Sequence, residues 1–210
     1  MLIERDGTVP SVDRSARIAP TAVLVGDVHV GADTYVGHGT LIESTGPAVT
    51  IGRASVIMQN AVIRSVGGGS AGLPVFPTWI GDSALIGPLV ALAGCSIGDD
   101  AYIATQAIVF YGARVGRGAR VGAGAIVHTG TELEPGSSVG LRQVAAPGEN
   151  GPIITSDLEQ ARQLVPPADY FGMVFATGSD DQEALHRDAI EKLRAEMLSF
   201  NDFPLEGRQR

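Results

Sequence analysis

Ile97-Gly98-Asp99-Asp100-Ala101-Tyr102, Ile103-Ala104-Thr105-Gln106-Ala107-Ile108, Val109-Phe110-Tyr111-Gly112-Ala113-Arg114 and Val115-Gly116-Arg117-Gly118-Ala119-Arg120 are consecutive hexads, each opening on an aliphatic residue. The register runs on through Val121, Val127, Leu133 and Val139. Upstream it is carried by Ile18, Leu24, Val30, Val36 and Ile42, then Ile51, Ile57 and Ile63, then Ile80, Ile86 and Leu92. Glycine often follows the aliphatic residue, as at Gly31, Gly52, Gly81 and Gly116, and the fifth position is small or β-branched, as at Thr34, Ser55, Ala101 and Ala119. Neither the 3.6-residue period of a helix nor the 2-residue period of a strand produces this. A short strand followed by a corner does. Three such sides close a coil of about 18 residues, and coils stack at the inter-strand distance of ~4.8 Å, so aliphatic burial accumulates along the axis. The expected fold is an all-β solenoid, a parallel β-helix of hexapeptide repeats. An antiparallel sandwich would need alternating apolar runs with hairpin turns every ~8–12 residues, and the chain lacks them.

The 210 residues fit one domain with an appendage. Hydrophobic residues make up 44%, charged residues only 18%, and 28 residues are glycine, a composition of tight corners rather than disorder. A net charge of −8 argues against nucleic acid and anionic membranes as partners. The single cysteine, Cys95, excludes an intrachain disulfide and a cysteine metal cluster; it reads as a small core residue. Met1 to Asp6 has no apolar core behind a basic start, so no signal peptide is expected. The most apolar stretch, 84–98, is too short to span a bilayer and is broken by Gly87, Pro88 and Gly94. A cytoplasmic protein is expected.

The repeat breaks where Glu43 to Thr50 adds three residues, where Leu92 to Ile97 is one residue short, and across a loop insertion at 65–78 that reads as too glycine-rich for a strand. Insertions in solenoids tend to fall on the working face. The expected division is a β-helix over 1–152 and a helical tail over 153–210 packed on it. Ser156 and Glu159 form a capping box for a short helix ending before Pro166. A second helix is expected from Ser179 to about Phe200, with an apolar stripe of Leu185, Ile190, Leu193, Met197 and Phe200 and the pairs Glu183–Arg187 and Asp188–Lys192.

Residues 80–110 and Thr155-Ser156-Asp157-Leu158-Glu159-Gln160-Ala161 resemble the γ-class carbonic anhydrases of archaeal and carboxysomal type. The resemblance implies a left-handed β-helix, a C-terminal helix, and a homotrimer with a metal site between subunits. It places the family's three zinc-binding histidines at Arg64, Pro88 and Ala93. Zinc takes His, Cys or carboxylate; guanidinium offers only donors, and Pro and Ala side chains offer nothing. The polar residues around the family's first histidine correspond to Val56, Met58 and Gln59, and the arginine of the preceding turn to Glu43. No metal, no cofactor and no carbonic anhydrase activity are therefore expected.

Counting sides places Glu43, Arg64, Ala93, Phe110 and His128 in one outward column, and His38, Met58, Gln59 and Pro88 at a corner of another face. In a family-like trimer the two groups meet across the subunit boundary. Two readings of Arg64 are open: an ion pair with Glu43 filling a dead site, or a fork that binds a carboxylate or phosphate in the cleft. The candidate catalytic residues are Arg64, Glu43 and His128, and the candidate binding residues Met58, Gln59, Phe110, Tyr111 and His38. His29 and His186 read as surface residues. The preferred expectation is a diverged relative whose cleft binds or converts a small anionic organic molecule. The alternatives are a non-catalytic scaffold subunit and a hexapeptide-repeat acyltransferase.

Overall fold

Three parallel sheets form the sides of a solenoid in the computed structural model, which describes residues 1–68, 73–164 and 182–204. The first sheet stacks Leu24, Ile42, Ile63, Leu92, Val109, Val127 and Ala145. The second stacks Val12, Val30, Ile51, Ile80, Ile97, Val115 and Leu133. The third stacks Ile18, Val36, Ile57, Ile86, Ile103, Val121 and Val139. These columns meet inside as one core, and Leu24, Ile42, Ile57, Ile63, Ile80, Ile86, Ile97 and Ile103 are each at most 1% exposed. Full burial of such a side chain stabilises by about 1.5–3 kcal/mol.

The other hexad positions have separate physical reasons. A Cβ at Gly98 would lie 2.6 Å from the Arg117 amide nitrogen of the next coil, so this corner requires a bare residue. The fifth-position hydroxyls bridge coils: Thr34 Oγ1 donates to Gly52 O at 2.7 Å, and Ser55 Oγ to Gly81 O at 2.8 Å. The fourth position carries a positive φ, which glycine accepts at Gly118 and Gly124 and short polar residues accept at Asp33 and Asn60.

Both ends of the first sheet are closed by antiparallel strands. Asp202–Pro204 pairs with Leu2–Arg5, and Ile153–Thr155 pairs with Val144–Ala146. Covering an edge removes a template for aggregation. The insertion departs from expectation: Val66–Gly68 and Leu73–Phe76 pair as an antiparallel hairpin despite the glycines. Residues 69–72 at its tip lie outside the described residues.

In the tail, α1 spans Leu158–Leu164 and α2 spans Gln182–Ser199. The cap of α1 is Asp157 rather than Ser156; its Oδ1 accepts from the amides of Glu159 and Gln160 at 2.8 and 3.1 Å. The expected helix start at Ser179 and the side chains of Glu183 and Leu185 lie outside the described residues. Asp188 and Lys192 form their pair at 2.9 Å. The expected apolar stripe is largely open: Ile190 is 65% exposed and Met197 39%, while Ala189 is the buried residue.

Candidate functional site

Arg64 ends the strand Val62–Arg64 and lies in register between Glu43 and Ala93. Because Leu92 pairs with Val109 and Val109 with Val127, the column continues through Phe110 and His128. The expected column is therefore present. The Arg64 backbone is pinned to the loop's return strand: its carbonyl accepts from Thr78 Oγ1 at 2.6 Å and from the Gly94 amide at 2.9 Å.

The Glu43–Arg64 ion pair does not form. Glu43 Oε1 accepts instead from Arg5 Nη1 at 2.8 Å. Arg5 is 8% exposed, and a guanidinium that dry must have its donors matched. Its Nε and Nη2 grip both oxygens of Asp202 at 2.6 and 2.7 Å, and Nη1 also donates to Ser44 O at 3.1 Å. The Phe200 ring centroid lies 4.1 Å from the guanidinium carbon. Burial works to lower the Arg5 pKa, but the two carboxylates outweigh it and the net shift is upward. The Arg5 hydrogen bond holds the Asp202 carboxyl below the usual range.

Arg64 is left in a different state. Its Nε is buried without a hydrogen-bond partner, and among the described residues the side chain has no ion pair. It is thus a guanidinium one rung from a carboxylate that is already committed elsewhere.

Further along the column the surface is aromatic. The Phe110 ring stands 5.5 Å from His128 and 6.1 Å from Tyr111, and Tyr111 stands 5.8 Å from Phe76 of the hairpin. Phe76 was not foreseen as part of this group. It reaches it because Gly94 lets the hairpin close in: a Cβ there would sit 2.4 Å from Phe76 Cβ. His128 is half-buried, and desolvation lowers its pKa, which favours the neutral imidazole. Met58, Gln59 and His38 follow the strands of the third sheet, on another side of the prism, so a single chain does not bring them to Arg64. His38 is exposed, with Nδ1 2.9 Å from Thr21 Oγ1.

No family model matches the chain. The mitochondrial gamma carbonic anhydrase 3 of Arabidopsis thaliana is 38% identical over 98 residues, which are 47% of this chain and 38% of that protein. The carnitine operon protein CaiE of Escherichia coli K12 is 29% identical over 111 residues, 53% of each chain. Over about half its length the chain is similar to gamma carbonic anhydrases and CaiE, and its β-solenoid is consistent with a γ-carbonic-anhydrase-like hexapeptide-repeat family. It spans about half the length, or less, of these curated relatives. The crystal structure of a candidate acetyltransferase from Bacillus cereus superposes with a TM-score of 0.56 at 19% identity, covering 93% of this chain and 96% of that one, which shows a shared fold.

At the positions where the resemblance places the family's zinc ligands, the residues present do not fit a zinc ion. Arg64 and Ala93 are neighbours in the first sheet, and Pro88 follows Ile86-Gly87 at the corner of the third. A guanidinium, a methyl and a pyrrolidine ring supply no lone pair to a cation. What the column offers is a cation, a small apolar step and aromatic rings. That arrangement can hold an anion against an apolar surface.

Proposed function

We propose that this protein is a diverged γ-carbonic-anhydrase-like trimer that has lost zinc and carbon dioxide hydration. Its inter-subunit cleft binds or converts a small anionic organic molecule without a metal. The observation that carries this reading is Arg64: its Nε is buried and unmatched, while Glu43 is held by Arg5. A dead site would have let the two neighbours neutralise each other, because an unmatched buried donor costs on the order of 1–3 kcal/mol.

The family implies a left-handed β-helix and a homotrimer, and the outward side chains support the assembly. The first sheet presents Val23, Leu41, Val62, Ala91, Ile108 and Ile126 in one ladder. The third presents Tyr35, Val56, Leu85 and Tyr102, flanked along the same ladder by Arg17 on one side and Arg120 and Ser138 on the other. The second is mainly polar, with His29, Thr50, Ser96, Arg114 and Glu132 around an exposed Trp79. The aliphatic first face and the apolar middle of the third suit a three-fold assembly in which they meet, which would carry Met58 and Gln59 of one subunit toward Arg64 of the next.

The test pairs light scattering with Arg64→Ala. A trimer in which Arg64→Ala abolishes anion binding while the melting temperature stays nearly unchanged supports the reading. Loss of assembly with no ligand bound by the unaltered protein favours a scaffold subunit instead.

A further inference from the structure

The outward column through Arg64 contains one cation. Val25, Glu43, Arg64, Ala93, Phe110 and His128 follow one another along it, and the ladder beside it is aliphatic. A diphosphate or triphosphate brings two or more charges and many acceptor oxygens, which need several donors. The other guanidinium of this region, Arg5, is saturated by Asp202, Glu43 and Ser44. A single free fork matches a single carboxylate.

Ala93 sets what stands behind that carboxylate. It separates Arg64 from Phe110 by two rungs, so their backbones are ~10 Å apart with only a methyl between them. The next outward residue past this step is Phe110, whose ring is inclined at 47° to that of Tyr111. Inclined aromatic walls favour a flat ring offered edge-on or offset, because the ring faces and edges carry opposite partial charge.

We propose that the Arg64 cleft selects a monocarboxylate bearing an aryl or other planar conjugated group, the carboxylate on Arg64 and the planar group over Ala93 against Phe110 and Tyr111. This rests on the anion-binding reading given above and narrows it to one ligand class.

Isothermal titration of the full chain with benzoate, trans-cinnamate, cyclohexanecarboxylate, acetate and inorganic pyrophosphate tests it. The expected result is benzoate or cinnamate binding at least tenfold more tightly than acetate, cyclohexanecarboxylate or pyrophosphate. Arg64→Gln should abolish binding of every carboxylate. Ala93→Leu should weaken the aryl acids at least tenfold, and Phe110→Leu, which keeps apolar bulk and removes the ring, should bring benzoate down to the level of cyclohexanecarboxylate. Equal affinity for all the carboxylates, or tighter pyrophosphate, overturns the aryl selectivity and leaves the anion cleft standing. No heat from any of the anions at millimolar concentration overturns both.

Discussion

Replacing Arg5 by alanine removes the group that ties the last described strand to the first and keeps Glu43 away from Arg64. Breaking a fully buried ion pair costs about 3–5 kcal/mol. Here Asp202 is 42% exposed and Glu43 20%, so both orphaned carboxylates recover water and the cost falls to about 2–3 kcal/mol. For a domain of this size that corresponds to a fall in melting temperature of roughly 4–12 °C. Calorimetry reads the fall, and hydrogen exchange should show the Phe203 amide, on the strand that pairs Glu4 with Phe203, losing protection first. The same variant frees Glu43 one rung (~5 Å) from Arg64, so anion binding at Arg64 should weaken. Adding Glu43→Gln to Arg5→Ala should restore that binding but not the melting temperature. A melting temperature within 1–2 °C of the unaltered protein, with Phe203 still protected, would refute the reasoning.

Gly98→Ala should destabilise by about 1–3 kcal/mol, because its Cβ meets the Arg117 backbone at 2.6 Å. Gly118→Ala has no atom within 4 Å and should cost only about 1 kcal/mol for its φ of +64°; thermal melts of the two variants check the order. Asp202 has a folded pKa below its unfolded value of ~3.9, so its contribution is present above that value and lost as pH falls through the folded one. Asp202→Asn should therefore flatten the acid limb of the stability curve below about pH 4. His128 is lowered from ~6.5 by desolvation, so acidification below that value costs stability, and His128→Gln should remove this slope. Burial pushes the Cys95 thiol up to about 12, so it should react with a thiol reagent only after unfolding.

Periodic features were legible because each hexad encodes its own geometry. The inward Ile97, Val115 and Val121 and the bare Gly98 all follow from one coil stacking on the next. The outward column of Glu43, Arg64, Ala93, Phe110 and His128 followed from the same counting. Contacts that depend on the chain ends did not. Asp202 reaches Arg5 across 197 positions, and no period links a tail residue to the first strand. That closure reassigned Glu43 and left Arg64 without the partner that neighbouring register had suggested. Phe76 likewise joined Tyr111 through the hairpin, where glycine content masked strand pairing. The α2 stripe reads as packing on the β-helix or on a neighbouring subunit, and within the single chain Ile190 and Met197 stay open.

Uptake of an external carboxylate by Arg64, as proposed above, is read at the guanidinium N–H resonances of Arg64 in arginine-labelled protein. Among the described residues nothing accepts from Arg64 Nε. A saturable downfield shift on titration with benzoate is expected, unaffected by Glu43→Gln. A resonance that already has the shift of a carboxylate-bound guanidinium, moves on Glu43→Gln and ignores benzoate would contradict it.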